Sequence, residues 1–249
     1  ARAMVGGLRE LWGKPLPRLV FEDVAQRALD EGDVAEGLKR LHREALGEGS
    51  AGPIRLASAL LAEHLGLAAH RWASIAVERA PSDPATLAEA SRILEHDELG
   101  ERFGPGFPRD EAIALMRRAR RELRGSGLSN ARLARLLSVD ASGLPNRDPV
   151  ELEEAIVLLG DLVEREPTEE HVQLYAELLY RIGRKRELTR RASDWPRSLE
   201  VDALRLAAWA QLEGVPAALE QLDTLGLPPE VSAVVADRAA RALVDDQAY

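Results

Sequence analysis

Apolar residues recur along most of this chain at the spacing of one face of an α-helix. The clearest case is the segment 109–124, where arginines occupy the other faces and the apolar stripe consists of Ala112, Ile113, Met116, Ala119 and Leu123. The segment 149–166 repeats this pattern. No run of β-branched residues alternates with polar residues and leads into an Asn-Gly or Asp-Gly turn. The pattern predicts an all-α protein of about a dozen helices, each roughly 10 to 18 residues long.

Helix starts and tight turns can be located from proline and glycine. Asp83-Pro84 and Asp148-Pro149 each place an N-cap before a proline at the first helical position. Single glycines separate predicted helices in three places: Gly32 between 19–31 and 33–47, Gly183 between 168–182 and 184–193, and Gly214 between 198–213 and 215–225. So short a turn forces neighbouring helices to lie antiparallel. Such helix pairs, followed by longer Gly- and Pro-rich breaks, predict an α-solenoid.

Four stretches of the chain resemble tetratricopeptide-repeat units. They are Phe21–Leu46, Ala76–Pro84, Glu164–Leu188 and Leu204–Leu222. In the third stretch, Ala176, Leu179 and Gly183 stand at the small, apolar and glycine positions of such a unit. The resemblance implies a protein-interaction scaffold with a concave groove that is lined by the first helix of each pair.

The repeat does not run regularly through the whole chain. Pro81 and Pro167, which close two of the units, are not separated by a whole number of units of about 34 residues. An irregular or HEAT-like helical repeat therefore stays open. We expect one helical-repeat domain over residues 18–249 with an irregular break around 98–148, preceded by an N-terminal extension or linker over residues 1–17.

Net charge and cysteine content exclude several classes of function. The 33 basic and 42 acidic residues give a formal net charge of −9, which opposes binding to phosphate backbones. The absence of cysteine removes disulfides and thiolate nucleophiles. No apolar stretch approaches the roughly 18 to 20 residues of a membrane span, and no signal peptide is visible in residues 1–17. We expect a cytoplasmic protein, and the excess of arginine over lysine suggests a bacterial source.

The sequence contains no motif for catalysis or for binding a metal or cofactor. The five histidines form no His-Glu-x-x-His pair, and neither a Gly-x-Ser-x-Gly motif nor a phosphate-binding glycine loop is present. The group His96-Asp97-Glu98 could hold a metal or move a proton, but its place at a helix end favours an ordinary structural role. We therefore expect no enzymatic activity, no cofactor and no metal site.

Charge is segregated in the second half of the chain. Residues 149–177 carry nine acidic residues and Arg165, a net charge of −8. The basic ridge that follows within 181–191 has a net charge of +5, with Glu187 as its one acidic residue, and consists of Arg181, Arg184, Lys185, Arg186, Arg190 and Arg191. In one interpretation the acidic and basic helices pack together and neutralise each other, each surface pair contributing under about 1 kcal/mol. In the other, the ridge binds an acidic partner.

Polar residues off the apolar stripes of the first helices form the candidate partner-binding groove: Glu22, Gln26, Gln173, Glu177, Tyr180 and Gln211. Tyr175 lies on the stripe of its helix and is predicted in the core, whereas Tyr180, one residue off that stripe, is expected at the surface. The leading hypothesis is a non-catalytic scaffold that binds another protein or peptide segment. The alternatives are an accessory helical domain of a larger bacterial enzyme, such as a glycosyltransferase, and binding of nucleic acid or lipid headgroups through the basic segments 109–124 and 181–191.

Overall fold

The structure, a computed structural model, describes residues 32–122 and 127–247. Within these ranges the chain forms twelve α-helices, one short 3₁₀ helix and no β-strand, which confirms the predicted all-α class. The chain divides into two compact units, the first ending at Asn146 and the second beginning at Arg147. The first unit contains α1 Gly32–Ala45, α2 Ala51–Ala62, α3 Gly66–Arg79, α4 Pro84–Leu94, α5 Arg109–Glu122 and α6 Gly127–Leu137. The second contains α7 Pro149–Arg165, α8 Glu169–Arg181, α9 Lys185–Arg191, the 3₁₀ helix Ala192–Asp194, α10 Leu199–Glu213, α11 Val215–Thr224 and α12 Pro229–Gln247.

Side-chain caps fix the helix starts that Asp-Pro pairs predicted. The Asp83 carboxylate accepts the backbone N–H of Thr86 at 2.8 Å in the first turn of α4. The Asp148 carboxylate accepts the N–H of Val150 at 2.9 Å at the start of α7. Proline is the first residue of both helices, where its missing N–H leaves no donor unsatisfied. Both predicted starts are therefore confirmed.

Two glycine turns lie where the sequence predicted them. Gly183, with φ of +79°, separates α8 from α9, and Gly214, with φ of +92°, separates α10 from α11. Positive φ favours glycine because it has no Cβ to clash with the following carbonyl. These turns make the connections in the second unit short enough for neighbouring helices to pack.

Within each unit, helices pack mainly against their neighbours in the sequence. In the first unit each helix from α1 to α5 packs against the next one, and α2 also contacts α4. In the second unit α7 to α11 pack in the same order, and α10 also contacts α8 and α12. The interior is mainly Leu and Ala, and Tyr175, 2% exposed, lies in the core as predicted. Contacts between neighbouring and alternate helices are compatible with a helical repeat.

A loop after α4, which we call the first loop (residues 95–103), folds around one buried carboxylate. Asp97 Oδ1 accepts the backbone N–H groups of Leu99 and Glu101, both at 2.9 Å. The Asp97 N–H donates to the Glu101 carbonyl at 2.9 Å, and the Gly100 N–H donates to the Asp97 carbonyl at 3.0 Å. Gly100 has φ of +79°. The carboxylate and the glycine together close this turn.

The second loop, residues 138–146 after α6, has the same geometry. Asp140 Oδ1 accepts the backbone N–H groups of Ser142 and Leu144 at 2.8 and 3.0 Å. The Asp140 N–H donates to the Leu144 carbonyl at 2.7 Å, and the Gly143 N–H donates to the Asp140 carbonyl at 3.0 Å. Gly143 has φ of +75°. Each of these bonds has its counterpart 43 residues earlier, in the first loop.

The helices around the two loops repeat with the same spacing of 43 residues. The helix before each loop ends on a buried apolar pair, Ile93-Leu94 in one copy and Leu136-Leu137 in the other. The helix after each loop begins with acidic residues and a buried pair, Ala112-Ile113 or Ala155-Ile156. The loop and the residue pattern of the helices before and after it therefore occur twice, and the second loop lies within the segment 98–148, which the sequence predicted to be an irregular break.

Part of the predicted architecture falls outside the described residues. This is the case for the extension or linker over 1–17, for the helix over 19–31, and for Glu22 and Gln26. Gly32 is described as the first residue of α1. The single helical-repeat domain over 18–249 stays a prediction.

Candidate functional site

The described residues of the predicted groove lie on two helices of the second unit. Gln173 and Glu177 are half-buried on α8, and Gln211 is exposed on α10. The Gln173 side-chain amide donates to the Ser198 hydroxyl at 3.3 Å and to the Glu200 carboxylate at 3.2 Å. These bonds bring polar side chains of α8 and of the start of α10 together. We call the set Gln173, Glu177 and Gln211 the α8–α10 surface.

Tyr180 is 5% exposed, so its predicted place at the surface is wrong. Its hydroxyl donates to the Ala242 carbonyl of α12 at 3.4 Å and accepts a hydrogen bond from the Gln211 amide at 3.2 Å. The Lys185 ammonium lies 5.0 Å from the centre of the Tyr180 ring. Tyr180 is covered by helices far along the chain, whose positions the periodicity of α8 alone does not indicate. Its hydroxyl holds the side chain of Gln211 in place, but Tyr180 itself is buried and offers no surface for a partner.

Three arginines of the basic ridge are neutralised by carboxylates. Arg184 lies 3.1 Å from the Glu153 carboxylate of α7, and Arg191 lies 2.7 Å from that of Glu164, also on α7. Arg181 pairs with Glu177 one turn earlier in α8. The acidic and basic segments therefore lie side by side and compensate each other, which agrees with the first of the two interpretations of their charge.

Arg186 and Arg190 are the exposed members of the basic ridge. They are four residues apart in α9, so their side chains leave the helix on the same side. Within the part of the chain that the structure describes, neither side chain has an ion pair with a carboxylate. The basic surface left for a partner is thus formed by two of the six basic residues of the ridge, Arg186 and Arg190.

Glu187, whose side chain is 17% exposed, joins two arginines and a tyrosine. Burial alone would raise the pKa of Glu187, but hydrogen bonds from Arg184, with Nε at 2.8 Å, and from Arg191 hold that pKa below its ordinary value. The Tyr175 hydroxyl donates to Glu187 at 3.3 Å and accepts from Arg191 at 2.7 Å. Burial raises the pKa of Tyr175. This cluster ties α8 to α9 through Glu187.

Replacing Glu187 with glutamine is expected to lower the free energy of unfolding by about 2 kcal/mol at neutral pH, because two guanidinium groups lose a charged acceptor. A carboxyl whose pKa is lowered by folding stabilises the protein above its unfolded-state pKa of 4.5, and this contribution is lost as the pH falls through the folded-state pKa. The difference between wild type and Glu187→Gln should therefore disappear in acid. Urea unfolding followed by circular dichroism at about pH 7 and about pH 3 measures it.

The matched control for this prediction is Glu220→Gln, since Glu220 is an exposed glutamate on α11 of the same unit. We expect it to change the free energy of unfolding by less than about 0.5 kcal/mol at either pH. Equal losses of unfolding free energy in the two variants would contradict the stabilising role of Glu187.

The group His96-Asp97-Glu98 serves the first loop. Asp97 is 4% exposed and both of its bonds from Oδ1 go to backbone N–H groups of that loop. The His70 Nε2 lies 2.9 Å from the His96 carbonyl, and burial lowers the pKa of both His70 and His96. Among the described residues, no group of three or more His, Cys, Asp or Glu side chains is placed to hold a metal ion. The geometry of this group supports a structural role.

Comparison with family models and with curated proteins gives no relative from which a function could be transferred. No protein-family model matches the sequence, and no curated protein matches it. Of the helices that the structure describes, none is long and apolar enough to span a membrane. The function must therefore be argued from the residues of this chain.

Proposed function

We propose that this protein is a non-catalytic helical-repeat scaffold that binds another protein or peptide through surfaces built by successive helices. The observation that carries the proposal is the recurrence of one aspartate–glycine loop at a spacing of 43 residues, with four hydrogen bonds of the first loop repeated in the second. Repeated units that stack on their neighbours present rows of side chains along one side of the stack, and proteins use such rows to bind extended partners. The proposed arrangement is an α-solenoid of the tetratricopeptide-like kind.

The α8–α10 surface is the part of the scaffold that we assign to the partner. Its polar side chains lie on helices that contact each other, and the buried hydroxyl of Tyr180 holds the Gln211 amide. Side chains fixed in this way lose little conformational freedom when a partner binds, which favours affinity. An acidic segment of the partner would bind Arg186 and Arg190 on α9, the helix that follows α8 in the same unit.

A pair of matched variants tests the assignment. The variant Glu177→Lys/Gln211→Ala changes the α8–α10 surface, and Glu220→Lys/Gln221→Ala makes the same changes of charge and size on α11. Wild type and both variants are used as bait in a lysate of the source organism, and the captured proteins are quantified by mass spectrometry. We expect a companion that wild type and the α11 variant retain and that the α8–α10 variant loses at least tenfold, a difference of about 1.4 kcal/mol.

Helical circular dichroism and thermal melting of the three baits must agree, so that a loss of binding is not a loss of folding. Tyr180→Ala would be unsuitable for this test, because that side chain is buried and its removal would create a cavity. Companions that do not differ among the three baits, or the lack of any companion, would contradict the proposal.

A further inference from the structure

The outer face of α12 carries four exposed residues at the spacing of a coiled-coil contact line. They follow one another at steps of three, four and three residues, which is the spacing of heptad positions a, d, a and d. At about 100° per residue, the four positions lie within about 80° of one another around the helix. We call this set the α12 seam; its members are Val234, Asp237, Arg241 and Val244. A helix with such a pattern can pack lengthwise against another helix.

The opposite side of α12 faces the interior of the second unit. Val235 and Ala239 are buried there, and the helix packs on α10. The Tyr180 hydroxyl of α8 also reaches α12, where it donates to the Ala242 carbonyl. These contacts hold α12 in place with the seam turned outwards. Val234 is 42% exposed and Val244 is 65% exposed, so both apolar ends of the seam are open to another molecule.

The order of charges makes the α12 seam complementary to a second copy of itself that runs in the opposite direction. In an antiparallel helix pair, position a of one helix faces position d of the other. With a two-fold axis at the level of residue 239, Val234 of each copy faces Val244 of the other. In the same register Asp237 of each copy faces Arg241 of the other. Each contact occurs twice, as an isologous interface requires.

A parallel helix pair would place each residue of the seam opposite its own counterpart. Asp237 would then face Asp237 and Arg241 would face Arg241, and like charges at such short range repel. The same four residues therefore favour the antiparallel arrangement and disfavour the parallel one. A partner helix must carry the reverse order of charges to fit this seam, and an antiparallel copy of α12 carries it.

We propose that α12 is a self-association surface through which two copies of this chain form an antiparallel, two-fold symmetric dimer. Within one copy the Arg241 guanidinium lies 2.8 Å from the Asp237 carboxylate, and both side chains are more than half exposed. Such an exposed pair contributes little, so both groups can turn to the other copy at little cost. The seam spans about 15 Å of helix, so the interface is small and the dimer is weak and reversible.

Self-association goes beyond the proposed function and does not depend on it. The α8–α10 surface lies on other helices of the second unit. A dimer carries two such surfaces, so a partner with two binding segments would bind it more tightly than it binds one copy. The dimer is tested with the purified chain alone, so its failure and the failure of the scaffold proposal are separate results.

Sedimentation velocity of the purified chain from about 10 μM to about 1 mM measures the association. For wild type we expect the sedimentation coefficient to rise with concentration towards that of a dimer, with a dissociation constant on the order of 0.1 mM. Asp237→Arg places arginines opposite Arg241, and Arg241→Asp places aspartates opposite Asp237. Each of the two substitutions should weaken the association at least tenfold.

The matched control is Asp223→Arg, the same substitution at an exposed position of α11. We expect it to associate like wild type. A wild-type sedimentation coefficient that does not change with concentration would overturn the inference. So would equal association of wild type and Asp237→Arg.

Mixing the two charge variants provides a rescue. In an equimolar mixture of Asp237→Arg and Arg241→Asp, the two arginines of one protein face the two aspartates of the other. We expect this mixture to associate as strongly as wild type, although each variant alone does not. Recovery would also show that neither substitution has unfolded the chain. A mixture that sediments like the separate variants would contradict the inference.

The direction of the helices is tested with single cysteines, because the chain has none of its own. Under mild oxidation, Val234→Cys and Val244→Cys should form a disulfide with each other when mixed. Neither should form one with its own kind, because two copies of residue 234 lie about 15 Å apart along an antiparallel pair, beyond the reach of a disulfide. Non-reducing gel electrophoresis detects the linked product. A disulfide between two copies of Val234→Cys would overturn the antiparallel dimer.

Discussion

Replacing Gly66 with alanine is expected to lower the free energy of unfolding by about 3 kcal/mol. Gly66 is the first residue of α3, and a Cβ there would lie 2.0 Å from the carbonyl oxygen of Asp97 and 2.7 Å from the backbone nitrogen of Gly100. These are backbone atoms of the first loop, which cannot rotate away as a side chain would. The next residue, Leu67, donates its N–H to the Glu98 carbonyl at 3.1 Å. The loop therefore rests directly on the start of α3.

Urea unfolding followed by circular dichroism measures this loss, and Gly37→Ala is the control. Gly37 lies in α1, and a Cβ at this position would meet no atom within 4 Å. Alanine has a higher helix propensity than glycine, so we expect Gly37→Ala to raise the free energy of unfolding by up to about 1 kcal/mol. If the two alanine variants were equally stable, the close contact between α3 and the first loop would be refuted.

The second large effect is expected for Asp97→Ala, which should lower the free energy of unfolding by about 2 to 4 kcal/mol. The substitution leaves two backbone N–H groups of the first loop without an acceptor, in a place where water has little access because Asp97 is 4% exposed. The loop also packs tightly on the carboxylate, since a Cβ at Gly104 would lie 2.3 Å from Asp97 Oδ2. Loss of the carboxylate therefore removes hydrogen bonds and packing together.

The second loop provides the matched comparison, because Asp140 makes the same two bonds from a more exposed position. Water can replace the lost acceptor there, so Asp140→Ala should lower the free energy of unfolding by only about 1 kcal/mol. Denaturant titration of wild type and both variants gives the free energy of unfolding of each protein, and so shows which variant loses more. An Asp140→Ala loss as large as that of Asp97→Ala would show that burial does not set the cost.

The sequence predicted those parts of the fold that depend on local chemistry. Asp83 and Asp148 cap their helices, and Gly183 and Gly214 form turns with positive φ, since each of these roles is decided within a few residues. Tyr175 was correctly placed in the core because it lies on the apolar stripe of α8. Tyr180 was misplaced because its burial depends on α12, about 60 residues further along the chain.

The repeated loop could have been found from the sequence. Asp97 and Gly100 recur as Asp140 and Gly143, and an Ala-Ile pair follows 15 residues after each aspartate. Units of about 34 residues do not reveal this spacing of 43, and the many glycines and prolines of the segment are typical of a break between repeats. Hydrogen bonds of the two loops make the correspondence plain.

Long-range charge compensation could not be predicted in detail. The sum of +5 over 181–191 does not indicate which arginines remain available, since Glu153 and Glu164 pair with Arg184 and Arg191 from about 30 residues away.

The most direct test of the proposed scaffold is the dissociation constant of a companion identified by capture, measured by titration calorimetry with purified proteins. The account predicts binding to wild type and to Glu220→Lys/Gln221→Ala with the same dissociation constant. It predicts binding at least tenfold weaker to Glu177→Lys/Gln211→Ala, since that variant alters the α8–α10 surface. Equal dissociation constants for all three proteins would contradict the assignment of the partner to this surface.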